Sequence, residues 1–205
     1  MKKIIRKGYD DYPTPDYLWK SIFLNNYMHL YLMNNIDKNT LIFDPCCGNK
    51  NMLAVLEEVL DAKLDCVSND IQRKYECDSY ADASKFETFE KLFSQKKPDF
   101  IFTNPPFKLS HEILENSLKI AKKGVGFILR LSFLEPVEKR KNLLIEYKPD
   151  ILLITKRVCF DPIKRNTESV TSCFMFFDKI IQRESTVLDY IDNDTLLSNG
   201  KEIRR

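Results

Sequence analysis

Short apolar runs alternate with amphipathic stretches along most of the chain. Runs of this kind that end in polar residues or proline predict buried strands, because a buried parallel strand is apolar on both faces. The stretches between them repeat apolar residues at three- and four-residue spacing and predict helices. The predicted strands are 41–44, 64–68, 99–104, 125–131, 151–155 and 171–177. Strands that alternate with helices in this way predict an α/β fold with a mostly parallel sheet.

Turn and cap residues set the expected ends of these elements. Thr14 before Pro15 predicts a helix N-cap with proline at the first helical position. Gly124 after two lysines predicts a helix C-cap, and Gly126 should interrupt the strand that follows. The last predicted strand, 171–177, alternates as an antiparallel strand would. Residues 1–11 and about 185–205 are polar and are expected to be loose.

Composition narrows the class of protein but does not name a partner. The 205 residues are expected to form a single domain, 1–205. A formal charge of +2, from 32 Lys+Arg and 30 Asp+Glu, neither requires nor excludes nucleic acid. No apolar run is long enough for a membrane span or a signal peptide. Six cysteines without a Cys-x-x-Cys pair, and two histidines, predict reduced thiols, no metal site and a cytoplasmic protein.

The stretch Asn104-Pro105-Pro106-Phe107 follows an apolar run and is the strongest candidate for chemistry. Neither proline can donate a ladder hydrogen bond, so the strand should end at Asn104. Proline also keeps the residue before it extended. Because ligands bind at the carboxyl ends of strands in an open α/β sheet, this motif is placed for a site. A Pro-Pro turn that merely closes an ordinary strand is the alternative.

These four residues resemble the catalytic motif of the S-adenosylmethionine-dependent amino-methyltransferases, which methylate amino groups of adenine, cytosine or glutamine. The resemblance implies that the Asn104 side-chain oxygen and the Pro105 carbonyl accept hydrogen bonds from the target amine and so localise its lone pair. Phe107 would stack on the target base. The expected catalytic residues are Asn104, Pro105, Pro106 and Phe107.

A second stretch, Asp44-Pro45-Cys46-Cys47-Gly48, resembles the Asp-Pro-x-Cys-Gly-x-Gly pattern of the same enzymes, except that Lys50 replaces the second glycine. The resemblance implies that Asp44 binds the cofactor's ammonium group. An acid about 20 positions after the glycine turn is placed for ribose hydroxyls, which favours Asp70. Asp82 would then recognise the adenine amino group; a helix cap is the alternative for both acids. The expected S-adenosylmethionine-binding residues are Tyr12, Thr14, Pro15, Asp44, Pro45, Cys47, Gly48, Asp70, Ile71, Asp82, Ala83 and Asn104.

The connection after the strand 151–155 is basic and contains an aromatic residue. Such a loop could bind phosphates while Phe160 stacks on an extruded base. The alternative is a solvated charged loop with Phe160 in the core. The expected substrate-binding residues are Phe107, Lys108, Arg157, Phe160, Lys164 and Arg165.

The motifs occur in the order that one cofactor pocket requires. Together with the stretch 130–135, they resemble most the compact DNA adenine methyltransferases of phages and mobile elements. We therefore expect a Rossmann-like methyltransferase fold: a mostly parallel seven-stranded sheet with an antiparallel last strand and helices on both faces. The expected partner is nucleic acid, DNA rather than RNA, read with low sequence specificity because the connections are short. The open alternatives are a methyltransferase of structured RNA or protein glutamine, and an inactive Rossmann-type binding module.

Overall fold

One sheet of seven strands organises the part of the chain that the computed structural model describes, residues 14–135, 137–155, 158, 171–181 and 183–191. The strands are β1 Leu41–Asp44, β2 Asp65–Ser68, β3 Phe100–Thr103, β4 Gly124–Arg130, β5 Ile151–Thr155, β6 Ser172–Asp178 and β7 Val187–Ile191. Their order across the sheet is β2-β1-β3-β4-β6-β5-β7. Every neighbouring pair is parallel except those of β6, which runs antiparallel to β4 and to β5. The predicted Rossmann-like, mostly parallel sheet of seven strands is confirmed, but the reversed strand is β6, the predicted 171–177, and the last strand, β7, is parallel to its neighbour.

Helices cover both faces of the sheet, as predicted. They are α1 Asp16–Phe23, α2 Asn26–Asn35, α3 Asn51–Leu60, α4 Phe86–Leu92, α5 Ser110–Ile120 and α6 Glu138–Glu146, with a 3-10 turn at Leu131–Leu134. Apolar residues of α1, α2 and α3 form one core with one face of the strands. Those of α4, α5 and α6 form a second core with the other face. No described helix is both long and apolar enough to cross a membrane.

The first predicted helix begins at a different residue than expected and is divided into two helices, α1 and α2. Pro15 is the N-cap of α1, with extended φ and ψ of −63° and 140°, and it makes no side-chain cap hydrogen bond. Thr14 therefore does not cap the helix. The apolar residues Leu18, Ile22, Phe23 and Tyr27 have the spacing of one helix, but they lie in two. The Asn25 side chain accepts hydrogen bonds from the backbone N–H groups of Tyr27 and Met28 and starts α2.

Two glycines of β4 serve packing, and the predictions of a C-cap at Gly124 and a break at Gly126 were wrong. Helix α5 ends at Ile120, and Gly124 begins a continuous seven-residue strand. A Cβ at Gly124 would lie 2.6 Å from a ring carbon of Phe176, and one at Gly126 would lie 2.5 Å from a ring carbon of Phe174. The glycines therefore make room for two buried phenylalanine rings on the neighbouring strand.

Gly126→Ala should destabilise the protein by about 1–3 kcal/mol, because overpacking a dense core forces rings out of their preferred positions. Phe102 closes the other side of the site, with a ring carbon 2.7 Å from the added Cβ, so the rings have little room to move. Chemical denaturation of the variant measures the loss. Adding Phe174→Leu to Gly126→Ala should recover part of the lost stability. If the stability losses of the two substitutions simply added, the proposed clash would be contradicted.

Strand β7 lies where the sequence analysis expected loose chain. It pairs in parallel with β5 at the edge of the sheet. Val187 and Ile191 pack on the first core, whereas Leu188 and Tyr190 are exposed. A five-residue segment with an acid at its centre gives only a weak strand pattern, so its pairing with β5 and its contact with the core decide its structure.

Candidate active site

The carboxyl ends of β1, β2 and β3 border an open cleft, which we call the main cleft. Its volume is about 870 Å³ when the solvent-filled space at its mouth is included. The connection after β1 leads to β2 on one side, whereas the connection after β3 leads to β4 on the other side, so a crevice opens between the ends of β1 and β3. The predicted site residues that line it are Thr14, Asp44, Pro45, Cys47, Gly48, Asp70, Ile71, Asp82, Ala83, Asn104 and Pro106. Pro15 and Pro105 are described but do not line the cleft, and Tyr12 lies outside the described residues.

Asp44 is a buried acid at the end of β1, with 4% of its surface exposed. Burial raises its pKa to about 7, with a smaller contribution from the negative charge of Asp70, although the backbone N–H of Cys46 donates to Asp44 Oδ1 at 3.1 Å. Among the described residues, no cationic side chain pairs with it. The carboxylate is therefore suited to a cationic group supplied by a ligand.

Asp70 holds the glycine turn against the end of β2. The Gly48 N–H donates to Asp70 Oδ2 at 3.1 Å, and the Gln72 N–H donates to Oδ1 at 2.8 Å. Gly48 has a φ of +48°, which glycine adopts without steric cost. No described helix begins next to Asp70, so its helix-cap alternative was wrong. The two hydrogen bonds leave further lone pairs on the carboxylate for a ligand hydroxyl.

Asp82 also caps no helix. Its Oδ1 accepts hydrogen bonds from the backbone N–H and hydroxyl of Ser84 at 2.9 and 2.7 Å. Helix α4 starts four residues later, at Phe86, with Lys85 at its N-cap. The short turn that Asp82 fixes places Ala83 beside it in the wall of the main cleft.

Lys50, where the resembled pattern has glycine, lies in the left-handed region with φ 60° and ψ 22°. A residue with a Cβ costs about 1–2 kcal/mol there. The turn therefore keeps the backbone conformation that glycine favours, in spite of the lysine.

Lys50→Gly should raise the free energy of unfolding by about 1 kcal/mol, because the strain at this position disappears while the turn is retained. Thermal and urea denaturation measure the gain. Lys85→Gly, at an exposed helix N-cap with ordinary extended φ and ψ, is the matched control and should give no gain. Equal stability of Lys50→Gly and the unmodified protein would contradict the strain.

Asn104 is fixed in orientation with one acceptor left open. It follows β3 directly, and its Nδ2 donates to the Thr14 hydroxyl at 2.8 Å. The Asn51 side chain in turn donates to the Thr14 carbonyl at 3.1 Å. The Asn104 Oδ1 is buried and accepts no hydrogen bond from the described residues. Because buried acceptors are nearly always paired, this oxygen is placed for a donor that a ligand brings.

Phe107 borders a second pocket beside the main cleft. Lys108, Arg130, Lys139 and Arg140 also line it, with Glu112 as its one carboxylate among the described residues; we call it the basic pocket. The Arg130 guanidinium lies 4.6 Å from the centre of the Phe107 ring. Of the expected substrate-binding residues, Phe107 and Lys108 line this pocket. Arg157, Phe160, Lys164 and Arg165 lie outside the described residues.

Several residues of both pockets escaped the sequence analysis. In the main cleft these include Trp19, Met52, Tyr75, Leu109 and Ile113, and in the basic pocket Arg130, Lys139 and Arg140. The cleft residues are mostly apolar positions that read as core. Arg130 had a usable signal, since it ends a predicted strand at the sheet edge where the motifs lie. In the described part of the chain, no group of three or more His, Cys, Asp or Glu side chains is arranged to hold a metal ion.

Solved structures of methyltransferases share this fold at low sequence identity. A type I restriction-modification methyltransferase subunit of Streptococcus thermophilus has a TM-score of 0.66 and 12% identity, covering 87% of this chain and 47% of its own. A proposed class I S-adenosylmethionine-dependent methyltransferase of Listeria monocytogenes has a TM-score of 0.59 and 11% identity, covering 87% of this chain and 65% of its own. A proposed RNA methyltransferase of Pyrococcus horikoshii has a TM-score of 0.59 and 15% identity, covering 84% and 89%.

The chain spans about half the length of the type I modification subunit. No protein-family model matches the chain, and a search of curated proteins finds no match. The likeness to these solved structures is one of the fold, at TM-scores of 0.66 and 0.59. The chain therefore has the Rossmann-like fold of the S-adenosylmethionine-dependent methyltransferases.

Proposed function

We propose that this protein transfers a methyl group from S-adenosylmethionine to the exocyclic amino group of adenine in DNA. The observation that carries the proposal is the open acceptor of Asn104. Its Oδ1 is buried and has no partner in the described part of the chain, while Thr14 holds its Nδ2. The exocyclic amino group of a base that enters the cleft can donate a hydrogen bond to this oxygen.

The residues of the main cleft fit S-adenosylmethionine. Asp44, which is buried and has no cationic partner among the residues that the structure describes, would hold its ammonium group, and Gly48 would let the backbone approach it. Asp70 would bind the ribose hydroxyls, and Asp82 the adenine amino group. Ile71 and Ala83 would contact the adenine ring, and both line the cleft. The bound cofactor supplies a methyl group on a positively charged sulfur, ready for attack by a nucleophile.

Asn104 and Pro105 make the target nitrogen a better nucleophile. The lone pair of an aromatic amine is delocalised into the ring. When Asn104 Oδ1 and the Pro105 carbonyl accept its two hydrogens, the nitrogen becomes more tetrahedral and its lone pair more localised. Since Thr14 fixes the amide beforehand, no reorganisation is needed during the reaction. The two prolines keep the carbonyl and the amide in place relative to each other.

The basic pocket supports a nucleic-acid substrate over a protein side chain. Four cationic side chains against one carboxylate, next to the expected base-stacking ring, suit a phosphate backbone. A narrow neutral cleft would suit a peptide glutamine better. DNA is favoured over RNA because the S. thermophilus and Vibrio vulnificus structures of similar fold are described as type I restriction-modification subunits. Low sequence specificity remains part of the proposal.

Transfer of labelled methyl groups tests the proposal. The protein is incubated with labelled S-adenosylmethionine and, in parallel, unmethylated duplex DNA, total RNA or a protein extract, followed by nucleoside and amino-acid analysis. We expect label in methyladenine from DNA. Label confined to RNA or protein would show that DNA is not the substrate, whereas the proposed methyl transfer to an amino group would stand. No label in any substrate, together with no cofactor binding at millimolar concentration, would favour the inactive binding module.

A further inference from the structure

The basic pocket is formed where three separate elements meet. Lys108 follows the Asn-Pro-Pro-Phe motif, Arg130 ends β4, and Lys139 and Arg140 lie in the first turn of α6. Neighbouring strands bring the first two together, because β3 pairs with β4 in parallel and their carboxyl ends lie side by side. Residues far apart in sequence therefore place their positive charges in one pocket.

Arg130 is the central cation of this pocket. Its guanidinium lies over the Phe107 ring, 4.6 Å from the ring centre, in the arrangement of a cation–π contact. Its Nε is buried and makes no hydrogen bond within the described residues. A buried, charged donor without an acceptor is costly, so the structure leaves Arg130 ready for an anionic ligand.

Arg140 is held differently. It donates through Nη1 to the Ser132 carbonyl at 2.8 Å, and its guanidinium lies 5.6 Å from the centre of the Phe133 ring. These contacts fix its charge at the rim of the pocket. Glu112 is the only carboxylate among the described lining residues, so the pocket keeps a positive balance.

We propose that the basic pocket binds one backbone phosphate of the DNA strand next to the target nucleotide, with Arg130 as its anchor. A guanidinium presents pairs of coplanar N–H groups as a fork that matches two phosphate oxygens, whereas Lys108 and Lys139 contribute point charges. Arg130 contacts Phe107 as well, so phosphate binding would steady the ring on which the base stacks. The inference rests on the proposed function in that the ligand is a nucleic-acid strand.

DNA binding, measured without methyl transfer, tests the site. A short labelled duplex that contains a single adenine, which fixes where the protein binds, is made with a neutral methylphosphonate at a single position, and the position is moved along the strand around the adenine. Fluorescence anisotropy gives the affinity of each duplex. We expect one or two positions to weaken binding about 10-fold or more, since a charge-assisted bidentate contact is lost.

Variants identify which residue contacts that phosphate. Arg130→Gln should bind the unmodified duplex about 10-fold more weakly, reduce the salt slope by about one, and lose its sensitivity to the methylphosphonate. Arg130→Lys should recover only part of the affinity, because it lacks the fork. Lys91→Gln, an exposed lysine outside both pockets, is the matched control and should behave as the unmodified protein.

The outcomes separate this inference from the proposed function. If no position matters, or if Arg130→Gln keeps the full sensitivity of the unmodified protein, the phosphate site is overturned even when DNA is methylated. If the methyl label appears only in RNA, DNA is not the substrate and the methylphosphonate scan is repeated on that RNA. A position at which the methylphosphonate weakens binding to the unmodified protein but not to Arg130→Gln would still support the phosphate site. If Lys91→Gln weakened DNA binding as much as Arg130→Gln, the effect would come from the overall positive charge of the surface and not from the pocket. That result would overturn the phosphate site.

Discussion

Asn104→Ala should lower the rate of methyl transfer by about 100- to 1,000-fold while leaving the affinity for S-adenosylmethionine nearly unchanged. Removing one preoriented group that stabilises a transition state has an effect of this size. The variant loses the open Oδ1, whose proposed partner is the substrate amine. Single-turnover methyl transfer gives the rate, and isothermal titration calorimetry gives the cofactor affinity.

Substitutions of Thr14 provide a graded control. Thr14→Val removes the acceptor that holds Asn104 Nδ2 but keeps the size of the side chain, so the rate should fall about 5-fold, as for one lost hydrogen bond. Thr14→Ser retains the hydroxyl and should stay close to the unmodified protein. If Asn104→Ala weakened cofactor binding as much as it slowed transfer, a direct role for Asn104 at the amine would be wrong.

Asp44→Asn should weaken S-adenosylmethionine binding by about 10- to 100-fold, because a hydrogen-bonded ion pair with the ammonium group becomes a neutral contact. The side chain is 4% exposed, so water cannot replace the lost partner. Asp65→Asn, which changes an exposed acid at the start of β2, is the matched control and should bind the cofactor normally. Calorimetry at about pH 8 compares the three proteins.

The same residue should make cofactor binding depend on pH. Burial raises the Asp44 pKa to about 7, so the carboxyl is largely protonated below that pH in the free protein. Since the ammonium pairs with the ionised form, the apparent Kd should rise by up to about 10-fold per pH unit as the pH falls below about 7. Asp44→Asn should show a flat profile. A pH-independent Kd in the unmodified protein between about pH 5.5 and 8.5 would contradict the role.

Asp44→Asn should bind the cofactor more weakly but should be more stable than the unmodified protein when no cofactor is present. This difference shows that weaker binding is not caused by misfolding of the variant. An acid whose folded pKa lies near 7, above its unfolded value of 3.8, contributes stability below that lower value and loses it as the pH rises to about 7. Asp44→Asn carries no charge, so above pH 7 the cofactor-free variant should be more stable, by up to about 4 kcal/mol. Thermal unfolding without cofactor measures this gain, and a lower Tm would contradict it.

Local patterns predicted six of the seven strands, and together with the family resemblance they named about half of the residues that line the main cleft. Apolar runs ending in Asp44 and Asn104 were recognisable as strands because buried parallel strands are apolar throughout. Their polar ends had to meet at one edge, since parallel strands share a direction. Strand β7 was missed because its five residues gain their structure from β5 and the core. The glycines of β4 were misread because a glycine that makes room for a ring on another strand has the same local appearance as a cap.

What the sequence by itself determined was the order of the elements and the chemistry at the strand ends, because both follow from neighbouring residues. Only the tertiary structure decided how those groups are paired. It turned Thr14 from a predicted cap into the partner of Asn104, ninety positions away, and left one amide oxygen open. It also stacked Arg130 on Phe107 across two strands. Such contacts depend on the packing of elements distant in sequence, which local pattern does not encode.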